Sequence, residues 1–253
     1  AFLNSCDGHW LRAARLPHMQ LTNSEATLRM QRYLRLPLAA LADLAGQVAR
    51  DGATVIDAYG DNLLSGYHPK EDAEWTLVHD TYVKKLDRIA AAAKVPCQVE
   101  GGRVRPFRQE EAEANLEGAS DAERRPGDLR LPGGVNAHGF ARAGTKEVFG
   151  DVTVRTPVLR SYVDAAAKQR GACAAAGVRW KHTSYKSQIP DNVLFLPLAF
   201  ESEGYMAPDV ELLLYSFAGI WARRRCLPEQ DQRRMQQVWL GELAVEGARA
   251  LAR

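Results

Sequence analysis

Two aspartates, Asp128 and Asp151, are of a type and in a context that suit phosphodiester chemistry. Each opens a short run of alternating apolar residues, "DLRL" and "DVTV", which predicts a strand with one buried face. Hard divalent cations such as Mg²⁺ take oxygen ligands and often bind proteins through only one or two carboxylates. The pair therefore predicts a metal site if the two strands are neighbours. The alternative is that both are ordinary polar residues at the ends of surface strands.

A lysine would complete such a site, because an ammonium group can orient the attacking water or stabilise charge in the transition state. Side chains alternate along a strand, so Thr153 lies on the same face as Asp151. In the common nuclease arrangement a lysine would stand at the position of Thr153, and here that lysine is missing. Lys168 and Lys181, in the segment that follows, are the remaining candidates.

The hydrophobic pattern predicts helices at both ends of the chain and strands in the middle. The predicted helices are Leu21–Leu38 with a cap in Thr22–Ser24, Ala39–Arg50, Glu74–Lys94, most of Pro157–Ser187, Pro208–Arg225 and Glu229–Ala252. The predicted strands are Val95–Gly101, Gly127–Gly133, Glu147–Thr156 and Asn192–Glu201. A helix between two strands usually joins a parallel pair. We therefore expect an α/β fold, in which helices flank a mixed central sheet of about four strands.

Some details of these elements are also predicted. Pro157 suits the first turn of its helix, and Pro197 predicts a bulge or an end in the last strand. In the helix Glu74–Lys94, Leu77 is expected on the buried side with Val83, Leu86 and Ile89.

The composition excludes several classes of protein. With 253 residues, 46% of them hydrophobic, the chain can form one large domain or two small ones and is not disordered throughout. No apolar run reaches the roughly 20 residues that span a bilayer, so no membrane partner is expected. The cysteines Cys6, Cys97, Cys173 and Cys226 form no CxxC pair, which argues against a zinc site or a disulfide scaffold and favours an intracellular protein.

The net charge of +2 is weak evidence for a nucleic-acid partner. Three local basic clusters, Gly101–Arg108, Glu123–Arg125 and Trp221–Cys226, either contact phosphates or are solvated surface. Trp180 and Tyr185 either stack on bases or pack in the core. The chain starts without Met and has no signal-peptide pattern, so we expect it to be a segment of a longer protein.

Several motifs occur in the order typical of one family. They are "YGDNLLSG" (Tyr59–Gly66), "LVHD" (Leu77–Asp80), "RRPGD" (Arg124–Asp128), "DVTVRTP" (Asp151–Pro157), "KHTSY" (Lys181–Tyr185) and "FLPLAFESEG" (Phe195–Gly204). From about Trp10 onward the chain resembles the C-terminal region of non-LTR retrotransposon reverse transcriptase polyproteins, which carries a restriction-enzyme-like endonuclease of the PD-(D/E)xK superfamily. The resemblance implies a restriction-endonuclease-like core that nicks duplex DNA so that the exposed 3′-hydroxyl primes reverse transcription.

The resemblance also implies roles for individual residues. Asp128 and Asp151 match the two catalytic carboxylates, which would hold Mg²⁺ or Mn²⁺. Lys181 matches the catalytic lysine, Tyr185 its companion, and Glu201 an acidic position at the end of the last core strand.

Four further residues are candidates for contact with nucleic acid: Arg125, Arg155, Lys168 and His182. Lys168 is also the alternative catalytic lysine. The expected partner is DNA, with RNA as a second candidate. His79 matches a histidine that the family usually has, and it serves either the metal site or packing at the start of its helix.

The resemblance divides the chain into a helical linker (residues 1–50), a degenerate zinc-knuckle-like segment (51–73), the restriction-endonuclease-like core (74–206) and C-terminal helices (207–253). The knuckle-like segment lacks the family's cysteines and has Asn62 and Gly66 in place of two ligands, so no zinc is expected and packing is expected to hold its shape. The polymerase's aspartate-rich motif does not occur in this sequence.

Two functions stay open. One is an active endonuclease, expected in the nucleus as part of a larger polyprotein. The other is a non-catalytic, domesticated descendant that serves a ribonucleoprotein as a nucleic-acid-binding or structural subunit, in an organelle or the cytoplasm.

Overall fold

The computed structural model describes residues 19–49, 52–65, 73–99, 127–132, 147–159, 161–185, 189 and 193–252. Within these ranges the helices are α1 (Asn23–Tyr33), α2 (Asp61–Ser65), α3 (Ala73–Ala93), α4 (Val163–Lys168), α5 (Ala172–Tyr185), α6 (Pro208–Arg224) and α7 (Glu229–Leu251). The strands are β1 (Gln98–Val99), β2 (Leu129–Pro132), β3 (Glu147–Arg155) and β4 (Val193–Glu201). None of the described helices is both long enough and apolar enough to cross a membrane.

The four strands form one mixed sheet in the order β1-β2-β3-β4. β1, β2 and β3 are antiparallel to their neighbours, whereas β3 and β4 are parallel from Glu147 opposite Val193 to Arg155 opposite Glu201. The helices α4 and α5 lie between β3 and β4 in the chain, as a parallel pair requires. The prediction of an α/β fold with a mixed four-stranded sheet flanked by helices is confirmed.

One face of the sheet packs against α3, α6 and α7. Val148 and Val152 of β3 belong to one hydrophobic cluster with apolar residues of β2, β4 and these three helices. Tyr82 of α3 stacks on Phe200 of β4, with ring centroids 4.0 Å apart. The two C-terminal helices therefore share a single core with the sheet.

The opposite face of the sheet is covered by α5. Tyr185 of this helix packs with Phe149 of β3 and Phe195 of β4. Because side chains alternate along a strand, Asp151 and Thr153 lie on the same face as Phe149. Asp151 and Thr153 therefore lie on the face of β3 that α5 covers.

The N-terminal helix α1 begins at a capping box. Thr22 Oγ1 accepts a hydrogen bond from Glu25 N, and Glu25 Oε2 accepts one from Thr22 N, which confirms the predicted cap. Two buried arginines tie this helix to the residues after β4. Arg29 donates to Ser202 O at 2.9 Å, and Arg32 forms an ion pair with Glu203.

The predicted helix Ala39–Arg50 is wrong. Only Ala39–Leu41 forms a 3₁₀ turn, and the chain then pairs with the following residues, with Ile56 N donating to Gln47 O at 2.9 Å. Gly46 has φ +87°, a conformation that ends a helix. So short a helix would have too few hydrogen bonds to offset its nucleation cost.

Three finer predictions also differ from the structure. β4 runs through Pro197 without a break, since β4 is an edge strand and one missing N–H can be tolerated there. Pro157 lies in the turn after β3, and α4 begins later, at Val163. Leu77 is 41% exposed, because the buried stripe of α3 runs through Val78 and Tyr82 instead.

Hydrogen bonds organise the segment that resembles a zinc knuckle. Asp57 accepts from Tyr59 N at 2.8 Å and from Asn62 N at 2.6 Å. The Asn62 side chain, at a position where the resembled family has a histidine, donates to Val55 O at 2.9 Å. Turn hydrogen bonds thus hold this segment in addition to packing.

Candidate functional site

Asp128 and Asp151 lie side by side on neighbouring strands. Asp128 directly precedes β2, whose Leu129 is opposite Gly150 of β3. Asp128 Oδ2 accepts a hydrogen bond from Val152 N at 2.7 Å, and Asp151 Oδ1 accepts one from Gly127 N at 3.3 Å. Each carboxylate is thus held by the backbone N–H beside the other. Asp151 lies in the middle of β3 and not at a strand start.

A glycine precedes each aspartate, and a side chain would be crowded at either position. Gly127 has φ +99°, and a Cβ added there would lie 3.2 Å from Phe149 Cδ1. A Cβ added to Gly150 would lie 2.9 Å from Leu198 Cδ1. Gly127 is therefore required by its backbone conformation beside Asp128, whereas Gly150 is required by packing on the opposite face of the sheet.

Helix α5 supplies the lysine. A Cβ added to Gly177 would lie 3.3 Å from Thr153 Cγ2, so the helix lies close against β3 at this point. One turn later Lys181 Nζ lies 2.6 Å from Asp151 Oδ2. The helix packs on Thr153, at the position where the common arrangement has its lysine, and the ammonium group reaches the carboxylate from the helix instead.

The charged forms of Lys181 and Asp151 are not stabilised equally by their surroundings. Burial, together with the nearby Asp128, raises the pKa of Asp151 to about 6 even though Lys181 opposes the shift. Burial alone would lower the pKa of Lys181, but Asp151 outweighs it and the pKa is raised. The ammonium ion is therefore well stabilised, whereas the carboxylate is ionised at a cost because a second carboxylate is close.

The contact between Lys181 and Asp151 is an ion pair more than an aligned hydrogen bond. The distance of 2.6 Å is short, yet within the described part of the chain Asp151 Oδ2 has no hydrogen bond of acceptable angle. Asp151 is only 3% exposed. One buried carboxylate oxygen thus keeps a lone pair that a further cation or donor could use.

His79 of α3 contacts the other aspartate. Its Nε2 lies 3.1 Å from Asp128 Oδ2, and its Nδ1 lies 3.2 Å from Asp80 Oδ1. Burial opposes protonation of the imidazole, but the two carboxylates outweigh burial and raise the pKa of His79. Of the two roles left open for His79, its position supports the one beside the acidic pair. The "HD" step at the start of α3 was the only sequence signal for it.

Tyr185 and Glu201 occupy different places relative to the pair. Tyr185 is buried, and Lys181 Nζ lies 5.4 Å from the centroid of its ring, so it forms a wall behind the lysine. Glu201 lies four residues along β4 from Pro197, the residue opposite Asp151, which is about 13 Å along a strand. Its Oε1 accepts from Ala174 N at 2.9 Å. Glu201 therefore caps the start of α5 and is not brought to Asp151.

The three predicted nucleic-acid contacts that the structure describes are dispersed. Arg155 is half-buried at the end of β3, with its Cζ 5.4 Å from the centroid of the Trp180 ring. Lys168 is exposed at the end of α4. His182 is exposed on α5 and lies edge-on to Phe195 at 5.8 Å. Arg125 and the basic clusters Gly101–Arg108 and Glu123–Arg125 lie outside the described residues.

The donor chemistry of the pair fits a cation of the Mg²⁺ type. Among the described residues no group of three His, Cys, Asp or Glu side chains could hold a metal ion. Asp128 and Asp151 would thus supply the protein ligands alone, and Asp151 Oδ2 has a lone pair for this purpose. Mg²⁺ commonly binds in this way, with water and substrate phosphate completing its octahedron.

No protein-family model, curated protein or solved structure is significantly similar to this chain. The resemblance of the motifs to retrotransposon endonucleases therefore stays a prediction, and the geometry of the pair is the main support for a function.

Proposed function

We propose that this protein is a metal-dependent endonuclease that nicks duplex DNA, as in target-primed integration of a retrotransposon. One observation carries the proposal: Asp128 directly before β2, Asp151 in β3 and Lys181 in α5 meet at one place on the sheet. Two adjacent carboxylates with a lysine are the groups that metal-assisted phosphodiester hydrolysis needs. A buried ion pair needed only for stability would not require a second carboxylate that raises the pKa of the first.

Asp128 and Asp151 would hold one Mg²⁺ or Mn²⁺. When bound, such a cation activates water and offsets charge on the leaving oxygen. Lys181, held against Asp151 Oδ2, is placed to orient the attacking water or to stabilise charge on the phosphate. Tyr185 backs the lysine and keeps bulk water from that side.

His79 and Arg155 would act around these three groups. His79 Nε2 holds Asp128 Oδ2 and so fixes the orientation of that carboxylate. Arg155 follows Asp151 and Thr153 on the same face of β3 and would contact the phosphate backbone.

The test is conversion of supercoiled plasmid to open circle with Mg²⁺ or Mn²⁺, compared with EDTA. The variants Asp128→Asn and Lys181→Met are expected to lose at least about 100-fold in rate. Lys168→Met is the matched control, because Lys168 is an exposed lysine on α4, and it should keep the wild-type rate. Wild-type rates in Asp128→Asn and Lys181→Met would rule out this assignment.

A second candidate is a non-catalytic subunit that binds nucleic acid in a ribonucleoprotein. The observation that favours it is that three of the carboxylate oxygens, Asp128 Oδ2 and both of Asp151, already lie against protein groups. On this view the pair is a structural element that joins α5 to the sheet. Binding to DNA or RNA with no cleavage under any divalent metal would favour this candidate.

A further inference from the structure

Trp180 is an exposed aromatic residue beside the candidate site. Of this side chain 53% is exposed, so core packing does not explain it. Gly177, Lys181 and Tyr185, each four residues from the next, are positions of α5 that face β3, and Trp180 lies to one side of this row. Tyr185, in contrast, is buried, so the two aromatic residues divide between the two roles considered for them.

Two cations lie at the Trp180 ring. Lys181 Nζ is 5.3 Å and Arg155 Cζ is 5.4 Å from the ring centroid. The same Lys181 Nζ contacts Asp151 Oδ2, and Arg155 belongs to the strand that carries Asp151. The indole ring and the Asp151 carboxylate thus both lie near one ammonium group.

This combination fits the chemistry of a nucleotide. An exposed aromatic face offers a stacking surface to a base, and neighbouring cations offer charge to its phosphate. Single exposed apolar residues are common on protein surfaces and need no special explanation. Here Lys181 lies near both the ring and Asp151, the carboxylate proposed to hold the metal ion.

We propose that Trp180 is a positioning residue that stacks on an unpaired base of the DNA strand bound at Asp128, Asp151 and Lys181. The inference rests on the proposed function for the identity of its ligand. A base inside a duplex is already stacked on both faces, so the ring accepts a base that is single-stranded, at a strand end or flipped out. Stacking would hold one nucleotide while Arg155 and Lys181 hold its phosphate near Asp151.

Trp221 provides a control for an aromatic residue beside an arginine, although it is half-buried against the core whereas Trp180 is exposed. It lies on α6 in the basic run Trp221–Cys226, and Arg225 Cζ is 4.8 Å from its ring centroid. It therefore has a similar aromatic and cationic pairing on a helix that packs on the other face of the sheet. A change in binding that is specific to Trp180 would come from its place beside the acidic pair.

The experiment measures the affinity for a labelled duplex with a single-stranded overhang by fluorescence anisotropy in EDTA, where no cleavage occurs. Trp180→Ala should bind about tenfold or more weakly, Trp180→Phe should keep most of the affinity, and Trp221→Ala should bind as wild type does. Circular dichroism and the unfolding midpoint check that each variant is folded. Equal affinity of wild type and Trp180→Ala, or no binding by the wild type, would overturn the inference.

Abasic substrates locate the base. Removing the base at one position of the overhang should weaken binding by the wild type about as much as Trp180→Ala does. The Trp180→Ala variant should bind this abasic substrate with the same affinity as the intact one. If every abasic position weakens both proteins equally, Trp180 does not stack on a base. DNA binding that depends on Trp180, without any metal-dependent nicking, would refute the nuclease proposal and leave the stacking role. Nicking by a Trp180→Ala protein of unchanged affinity would refute the stacking role and leave the nuclease proposal.

Discussion

The ion pair between Lys181 and Asp151 makes an asymmetric prediction for stability. We consider Lys181→Met, Asp151→Asn and the double variant, each unfolded with urea at pH 7.5 in EDTA. The side chains are 14% and 4% exposed, so the pair is screened little by solvent. At 2.6 Å and an effective dielectric constant of about 20, the attraction is about 6 kcal/mol before desolvation.

Desolvation removes part of this attraction, and we expect a coupling free energy of about 3 kcal/mol. The two single variants should nevertheless differ. Lys181→Met leaves Asp151 buried beside Asp128 without a cation, and it should cost about 3 kcal/mol of unfolding free energy. Asp151→Asn removes the carboxylate that burial and Asp128 both oppose, and it leaves Lys181 with Asp128 as a neighbouring anion, so it should cost less than Lys181→Met.

The double variant should then be close in stability to Asp151→Asn alone, since Lys181→Met no longer leaves the buried Asp151 carboxylate without its cation. Linear extrapolation of urea unfolding gives the unfolding free energy of each protein, provided that the dependence on urea concentration is unchanged. These free energies give the coupling free energy between Lys181 and Asp151 directly. Equal costs for the two single variants, or additive costs in the double variant, would refute the proposed asymmetry. In the nuclease assay the double variant should be inactive although it is stable, which separates the function of the pair from its contribution to folding.

Three further predictions concern the surroundings of the pair. Because the pKa of Asp151 is raised to about 6, the contribution of this carboxyl group to stability is present below pH 4 and is lost as the pH rises through 6. Asp151→Asn does not have this loss, so it should gain stability relative to wild type between pH 4 and pH 8. A difference in urea unfolding that does not change with pH would contradict this. Gly127→Ala should lower the unfolding free energy by about 1–3 kcal/mol, because φ is +99° and the added Cβ would meet Phe149. Gly52→Ala is the milder control, since Gly52 has φ +72° and a Cβ there would meet nothing within 4 Å. Equal losses of unfolding free energy in the two variants would argue against crowding at Gly127. Glu201→Ala should lower the unfolding free energy by about 1–3 kcal/mol, because the hydrogen bond from Ala174 N is lost. Glu201→Gln should keep the wild-type nicking rate. Loss of nicking in a folded Glu201→Gln protein would show that Glu201 takes part in the reaction.

Much of the fold was readable from local patterns. The capping box at Thr22, the long helix α3 and the boundaries of α6 and α7 follow from short-range signals that act within a few residues. The parallel pairing of β3 and β4 followed from the helical segment between them. The wrong predictions lie where contacts with other segments determine the structure. Ala39–Arg50 has the composition of a helix, yet Gly46 is left-handed and the backbone pairs with Ile56, so the predicted helix does not form.

The sequence by itself nominated Asp128, Asp151 and Lys181 as chemical groups, because residue type and motif order are visible along the chain. Only the tertiary structure decided that Lys181 and not Lys168 reaches Asp151, since this depends on which turn of α5 packs on Thr153. It also placed Glu201 at the start of α5, four residues from the level of Asp151, and His79 against Asp128. The physical reason is that distances between elements are fixed by strand register and helix docking, which no local spacing specifies.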